Sequence, residues 1–491
     1  AEDMELWVNQ DFSIGQYGGT LLLGTPGNPK SLNPILSNEA TSTSIFRMMF
    51  SECWGFHNQR QEGIPGLCAD YERSLDGLTY TFRLRKGIRW SDGHPITSSD
   101  VAFSYAVATD PAIPNTVKDQ FRQDRTGMNE DFARLEILDQ ERFRFRLQKR
   151  DVLFQFAVGN LPILPKHIWA QAYARGVFGE ALSAQKPLGR VVSSGPFVME
   201  SYTPNQNIVF VRNPYFWQSD QAGNRLPYLD GVKVAIARDQ NGLLNRFRDG
   251  QIHIHTVREE EYQVLKGGEA YSNYRVYDLG PSFDTTYLMF NLDARKNEAG
   301  QLVMDPIRRS WFVQNAFRSA VSHAIDRENF VRNVLNGRGQ PLWNYVSPAD
   351  KRWYNPRVAR YPHDPKKALS ILKKAGFRLR GDRLFDRRNR PVEFTLITNA
   401  ERDSRVLMLS YIKSDLEAIG MQIRIEPLPF NAVLNALRDT RRFDAVVLGW
   451  SGDAPPDPAG SRNVLLSRGR SHLWHPEQEQ PATPWEKRMD E

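Results

Sequence analysis

The segment Phe443 to Trp450, FDAVVLGW, constrains the fold most. It is a nearly unbroken apolar run of strand length. Strands that alternate face water on one side; a run apolar on both faces belongs to a parallel sheet covered on both sides. That requires helices between strands. The preceding sequence supplies them. Val392 to Ile397 reads as a strand. Val406, Leu409, Ile412, Leu416 and Ile419 mark one helical face, and Gly420 ends it. Met421 to Ile425 reads as the next strand, and Leu434 and Leu437 sit in a further helix. Upstream, Val313 to Ala324 predicts a helix with Val313, Ala316, Phe317, Ala320 and Ala324 on one side.

A second α/β stretch lies earlier. Val232 to Ile236 predicts a strand, Asn241 to Asp249 a short helix stopped by Gly250, and Gln251 to Thr256 another strand. Between residues 51 and 190 the character changes to short β-like runs, such as Tyr80 to Arg85 and Phe143 to Leu147. Asp76-Gly77 and Asp92-Gly93 supply turns there. At 491 residues the chain has room for two to four domains. The order α/β, β-rich, α/β implies two α/β regions with a β-rich insert. Folds of this class place ligands at the C-terminal ends of parallel strands. The loop leaving Trp450 is therefore the first place to look.

That loop is GWSGDAPPDP, Gly449 to Pro458. In a partly dry cleft, Asp453 can hold an ammonium by charge-assisted hydrogen bonds. The Trp450 indole offers a flat apolar wall or a cation–π face. Asp453 and Asp457 are also ordinary turn-formers. Enzyme motifs are absent: there is no phosphate-binding loop, nucleophile elbow or HExxH. His253 and His255 would share one face of a strand, but no third metal ligand accompanies them. Neither a metal nor a cofactor is expected. The chain carries 64 Lys and Arg against 57 Asp and Glu, a net +7. The sharpest bias is Lys351 to Arg390, with 14 Lys and Arg against three Asp. No zinc-finger spacing or aromatic-basic motif joins it, so a solvated basic face is expected and nucleic acid is not. Cys53 and Cys68 leave two readings open, a bridge or two buried thiols. No run is long and apolar enough for a membrane span.

Ser74 to Val101, SLDGLTYTFRLRKGIRWSDGHPITSSDV, closely resembles the hallmark stretch of the family 5 extracellular solute-binding proteins. These are the peptide- and nickel-type receptors of bacterial ATP-driven importers. Further matches follow in the family's order: Ser193 to Phe197, Arg212 to Trp217, Phe290-Asn291, Val313 to Arg327 and Phe443 to Asp453. The resemblance spans about residues 17 to 491. It implies a two-lobed type II periplasmic-binding-protein fold with an extra domain inserted in lobe I. Lobe I would comprise 1–50 and 190–283, the insert 51–189 and lobe II 284–491. The stretch at Glu491 resembles a part of the family well before its usual end, so a return to lobe I is expected to be missing.

The resemblance also implies a function and a site. The protein would be a monomeric, non-enzymatic receptor that captures short oligopeptides in an interlobe cleft and delivers them to a membrane permease. Its place would be the periplasm or the outer face of the cytoplasmic membrane, with the signal peptide removed. Relatives that bind a nickel chelate or an oligosaccharide supply the alternative. Asp453 falls where peptide binders meet the α-ammonium, with Gly449 and Ser451 offering backbone groups and Trp450 lining a pocket. Phe430 falls at a pocket aromatic. Asn38, Glu39 and Ala40 fall at backbone contacts from lobe I, and Arg402 is the candidate for the peptide carboxylate. Tyr287 and Asn291 are expected to pack at the hinge.

Overall fold

The computed structural model describes residues 4–11, 13–36, 40–123, 131–180, 182–185, 187–297, 299–450, 452, 461–469 and 471–491. By contacts the chain divides into unit 1, Ala1–Thr256, and unit 2, Val257–Glu491. Both are mixed α/β.

Unit 1 contains β1 (Trp7–Val8), β2 (Thr20–Pro26), β3 (Trp54–His57), β4 (Glu62–Pro65), β5 (Cys68–Arg73) and β6 (Thr79–Leu84). It continues with β7 (Arg134–Ile137), β8 (Arg142–Arg146), β9 (Phe197–Thr203), β10 (Asn207–Arg212), β11 (Gln218–Ser219) and β12 (Gly231–Ala237). One four-stranded sheet has the order β2-β12-β10-β9. Its β2–β12 pair is parallel, with Thr20 opposite Gly231. A second, antiparallel sheet has the order β5-β6-β8-β7. Period-two alternation builds its buried face: Tyr80, Phe82 and Leu84 from β6 meet Phe143 and Phe145 from β8. The Phe82 and Phe143 rings stack at 5.4 Å. The Asp76-Gly77 turn between β5 and β6 uses the left-handed region at Gly77, φ 70°. Cys53 and Cys68 form a disulfide.

The expected strand Gln251 to Thr256 does not form. The main chain donates once to the edge of β2, from His253 N to Leu22 O, at 2.8 Å. The return bond comes from Leu22 N to the His253 ring Nδ1, at 3.2 Å. A side chain takes the place of a backbone carbonyl, so the ladder stops after one residue. His255 turns to stack on Phe247. Among the described residues no group of three or more metal-ligating side chains could hold an ion.

Unit 2 contains β13 (Thr285–Phe290), β14 (Arg378–Arg380), β15 (Arg383–Phe385), β16 (Glu393–Asn399), β17 (Gln422–Leu428) and β18 (Ala445–Trp450). Its main sheet has the order β13-β18-β16-β17. β16 runs parallel to both β17 and β18, and β13 is antiparallel to β18. The first four residues of β18 are buried, as the unbroken apolar run requires. The Asp403–Glu417 helix links β16 to β17 and buries Leu409, Ile412 and Leu416. Gly420 ends this segment in the left-handed region, φ 86°, where a side chain would also meet Leu379 and the Leu384 backbone. The helix expected from Val313 starts at Asn315. Val313 instead closes the preceding Pro306–Phe312 helix. Phe290, Phe312, Phe317 and Phe394 pack together in the core of unit 2. No helix among the described residues is long and apolar enough to cross a membrane.

Candidate functional site

Because β16, β17 and β18 are co-directional, their C-terminal ends, Asn399, Leu428 and Trp450, reach the same edge of the unit 2 sheet. β13 starts there, with Thr285 opposite Trp450 and Thr286 opposite Gly449. The ends of parallel strands leave backbone groups without ladder partners, and the loops beyond them carry the polar side chains.

A chain of hydrogen bonds ties this edge together. Arg405, in the first turn of the Asp403–Glu417 helix, donates from Nη1 to Asn399 Oδ1 at 2.8 Å. Asn399 Nδ2 donates to Glu401 Oε2 at 3.3 Å. Glu401 Oε1 accepts the Phe430 backbone N–H at 2.9 Å. That N–H holds the Glu401 carboxyl below its ordinary pKa. The other end of the Arg405 guanidinium lies against Gly449, where a Cβ would overlap it. Burial, then the like charge of Arg402, pulls Arg405 below the usual arginine value. Tyr287, on β13, is pushed up to about 12 by burial and by its neighbour Tyr345. The edge therefore holds a half-buried cation and a neutral phenol.

Four of the sequence-derived residues meet here. Gly449 and Trp450 end β18, both half-buried. Phe430 opens the Phe430–Leu434 helix and is 44% exposed, which leaves its side chain open to solvent at this edge. Arg402 is the residue before the Asp403–Glu417 helix and is exposed. Gly452 follows the strand with no room for a methyl group, pressed against Phe283 Cβ and O. Ala40 is in unit 1, at the start of the Ala40–Met49 helix. Asp453, Ser451, Asn38 and Glu39 lie outside the described residues.

The sequence reading passed over Arg405, Asn399 and Glu401. Arg405 sits three positions after Arg402, so both fall in one helical turn. Asn399 is the polar end of an apolar strand. Those two signals were available; the crossing of Arg405 under Gly449 was not, because it depends on how a helix lies across a sheet.

Over residues 62–472 the sequence matches the family described as bacterial extracellular solute-binding proteins, family 5 Middle. The chain is 27% identical over 482 residues to a probable ABC transporter-binding protein of Deinococcus radiodurans, covering 94% of this chain and 78% of that protein. It is 26% identical over 471 residues to the oligopeptide-binding protein AppA of Bacillus subtilis, covering 94% and 79%. The solved structure of the Bacillus subtilis protein in complex with a nonapeptide superposes with a TM-score of 0.71 at 23% identity. The match covers 96% of this chain and 86% of that one.

Proposed function

Since this chain belongs to the bacterial extracellular solute-binding proteins of family 5, we propose that it captures short oligopeptides and hands them to an ATP-driven importer in the membrane. The observation that carries this reading is the β18 strand end. Gly449 and Trp450 lead directly into Asp453 from an edge furnished with a half-buried cation and the exposed Phe430 ring. An extended peptide binds such an edge mainly through its own backbone, which tolerates any sequence, while roomy apolar walls accept varied side chains. Asp453 takes the ligand's α-ammonium and sets the register. Ser451 and Gly449 meet the peptide backbone, Trp450 and Phe430 line side-chain pockets, and exposed Arg402 receives the terminal carboxylate. Asn38, Glu39 and Ala40 supply backbone contacts from unit 1. The oligopeptide-binding relative and the nonapeptide complex support a peptide over other solutes.

The protein works outside the cytoplasm as a monomer. The Cys53–Cys68 bond suits an oxidising compartment. Lobe I comprises 1–50 and 190–283, an inserted domain 51–189, and lobe II 284–491. In support, among the described residues β3 to β8 pair only among themselves, whereas β2 pairs with β12 across that interval. Residues 257–283 group with unit 2 by contact and with lobe I by this proposal.

The test is calorimetry of Asp453→Ala with di- to pentapeptides. Leaving a buried ammonium unpaired costs about 2–5 kcal/mol, so affinity falls by more than an order of magnitude. Unchanged affinity removes the ammonium role. Native mass spectrometry of ligand released from the purified protein tests the solute class; a sugar or a metal chelate in place of peptides overturns the peptide reading.

A further inference from the structure

The solute-binding reading leaves the basic run of unit 2 without a task. The structure turns that run into a surface. The Pro365–Lys374 helix buries Ala368 and Leu372, which throws Lys366, Lys367, Lys373 and Lys374 onto the opposite, exposed side. After it, β14 pairs with β15 with Leu379 opposite Leu384 and Arg380 opposite Arg383. Leu384 is buried, so alternation directs Arg378, Arg380 and Arg383 outward, and all three are exposed. The following turn adds Arg387 and Arg388. Arg387 Nε donates back to Ala375 O at 2.9 Å, which joins helix end, turn and hairpin into one face.

The acids do not neutralise this face. Asp386 is buried and turned inward. It accepts from Arg390, from Trp311 Nε1 and from the backbone N–H groups of Arg388 and Arg390. From residue 365 to 390 the exposed acid is Asp382 alone. Apart from Arg390, which pairs with Asp386, none of the other nine cations named above has a carboxylate within ion-pair distance among the described residues. Arg380 directly opposite Arg383 is a like-charge cross-strand pair, an arrangement that costs stability. The Phe385 ring beneath Arg380 offsets part of that cost, and among the described residues no carboxylate pairs with either arginine.

We propose that this face docks the protein on an anionic phospholipid surface. The cations are long, exposed and spread over three consecutive elements, as a diffuse layer of headgroup charge requires. A specific protein partner needs a central apolar or aromatic anchor. Leu379 is the one large apolar side chain exposed in this stretch, and it leans toward Gly420. Base readout needs a groove-reading element or open aromatic platforms, and Phe385 lies beneath Arg380. Docking by unit 2 would hold a receptor at the membrane it serves without using its solute site.

The experiment is co-sedimentation of the full chain with vesicles of phosphatidylcholine alone and of phosphatidylcholine with phosphatidylglycerol, at low and high salt. Binding is expected to the anionic vesicles alone and to weaken with salt. Each cation near such a surface strengthens partition about fivefold. The triple variant Arg378→Glu, Arg380→Glu, Arg383→Glu should therefore lose on the order of 100-fold or more, while the matching triple Lys variant retains binding. Both should keep the parent's peptide affinity, which separates this proposal from the solute site. If the triple Glu variant fails to fold, Lys373→Glu with Lys374→Glu gives the same reading from the helix. No binding to anionic vesicles at low salt, or undiminished binding by the charge-reversed protein, overturns the proposal. So does binding of duplex DNA as tight as that of vesicles and equally sensitive to the variants.

Discussion

Two glycines beside the strand end differ in what a methyl group would displace. At Gly452 the obstacle is the Phe283 backbone carbonyl and Cβ, which cannot swing away. At Gly449 it is the tip of Arg405, a long side chain with other rotamers. Gly452→Ala should cost about 1–3 kcal/mol of stability as an overpacked site, read by urea unfolding. Gly449→Ala should cost less, since Arg405 gives up one charge-assisted bond to Asn399 and moves. Equal losses at the two positions would show that Arg405 is as rigidly held as the main chain. This contrast marks how far the site was legible. The Gly449-Trp450 strand end follows from asking where parallel strands end, whereas Phe430 and Arg402 follow from the family resemblance. Arg405 follows from neither, because its reach to Gly449 is a distance between elements, and no spacing along the chain encodes it.

The short Pro484–Asp490 helix shows an element held by a single buried acid. Thr483 caps it and Pro484 opens it, a sequence-readable start. Glu486 then accepts from Trp474 Nε1 and Gln478 Nε2 on one oxygen and from the Thr483 hydroxyl on the other, and the His472 ring lies 3.2 Å away. Burial raises the Glu486 pKa, but these bonds, His472 first, outweigh it and take it from 4.5 to about 2. A depressed carboxyl stabilises the fold above its unfolded pKa, and that stability is lost as pH falls through the folded value. About 3 kcal/mol should therefore disappear between roughly pH 4.5 and 2. Acid unfolding of the parent against Glu486→Gln checks this. The variant should start less stable at neutral pH and show a flatter slope across that window; parallel curves would refute the role. Elements with strong periodicity, such as β6, β8 and β18, were readable because burial of one or both faces dictates their pattern. The segment at His253 was not, because an imidazole that imitates a carbonyl looks like any alternating residue in sequence.

Across the whole molecule, the two cysteines settle a question that composition left open. Cys53 and Cys68 close a loop with a sequence separation of 15. A loop of that size is worth about 3 kcal/mol. The pair Cys53→Ser, Cys68→Ser should show faster hydrogen exchange in the β5-β6-β8-β7 sheet, with the β13-β18-β16-β17 sheet unchanged. Exchange rising equally in both would contradict a local effect. The β2–β12 pairing has a different consequence, one of timing. A chain that emerges amino end first presents Thr20–Pro26 more than two hundred residues before Gly231–Ala237 arrives to pair with it. Throughout that interval an apolar strand has two unsatisfied edges and is open to pairing with a neighbouring chain. Slow emergence is thus the dangerous regime for this sequence, and a holding factor that shields the first few dozen residues would protect it more than one acting at the end.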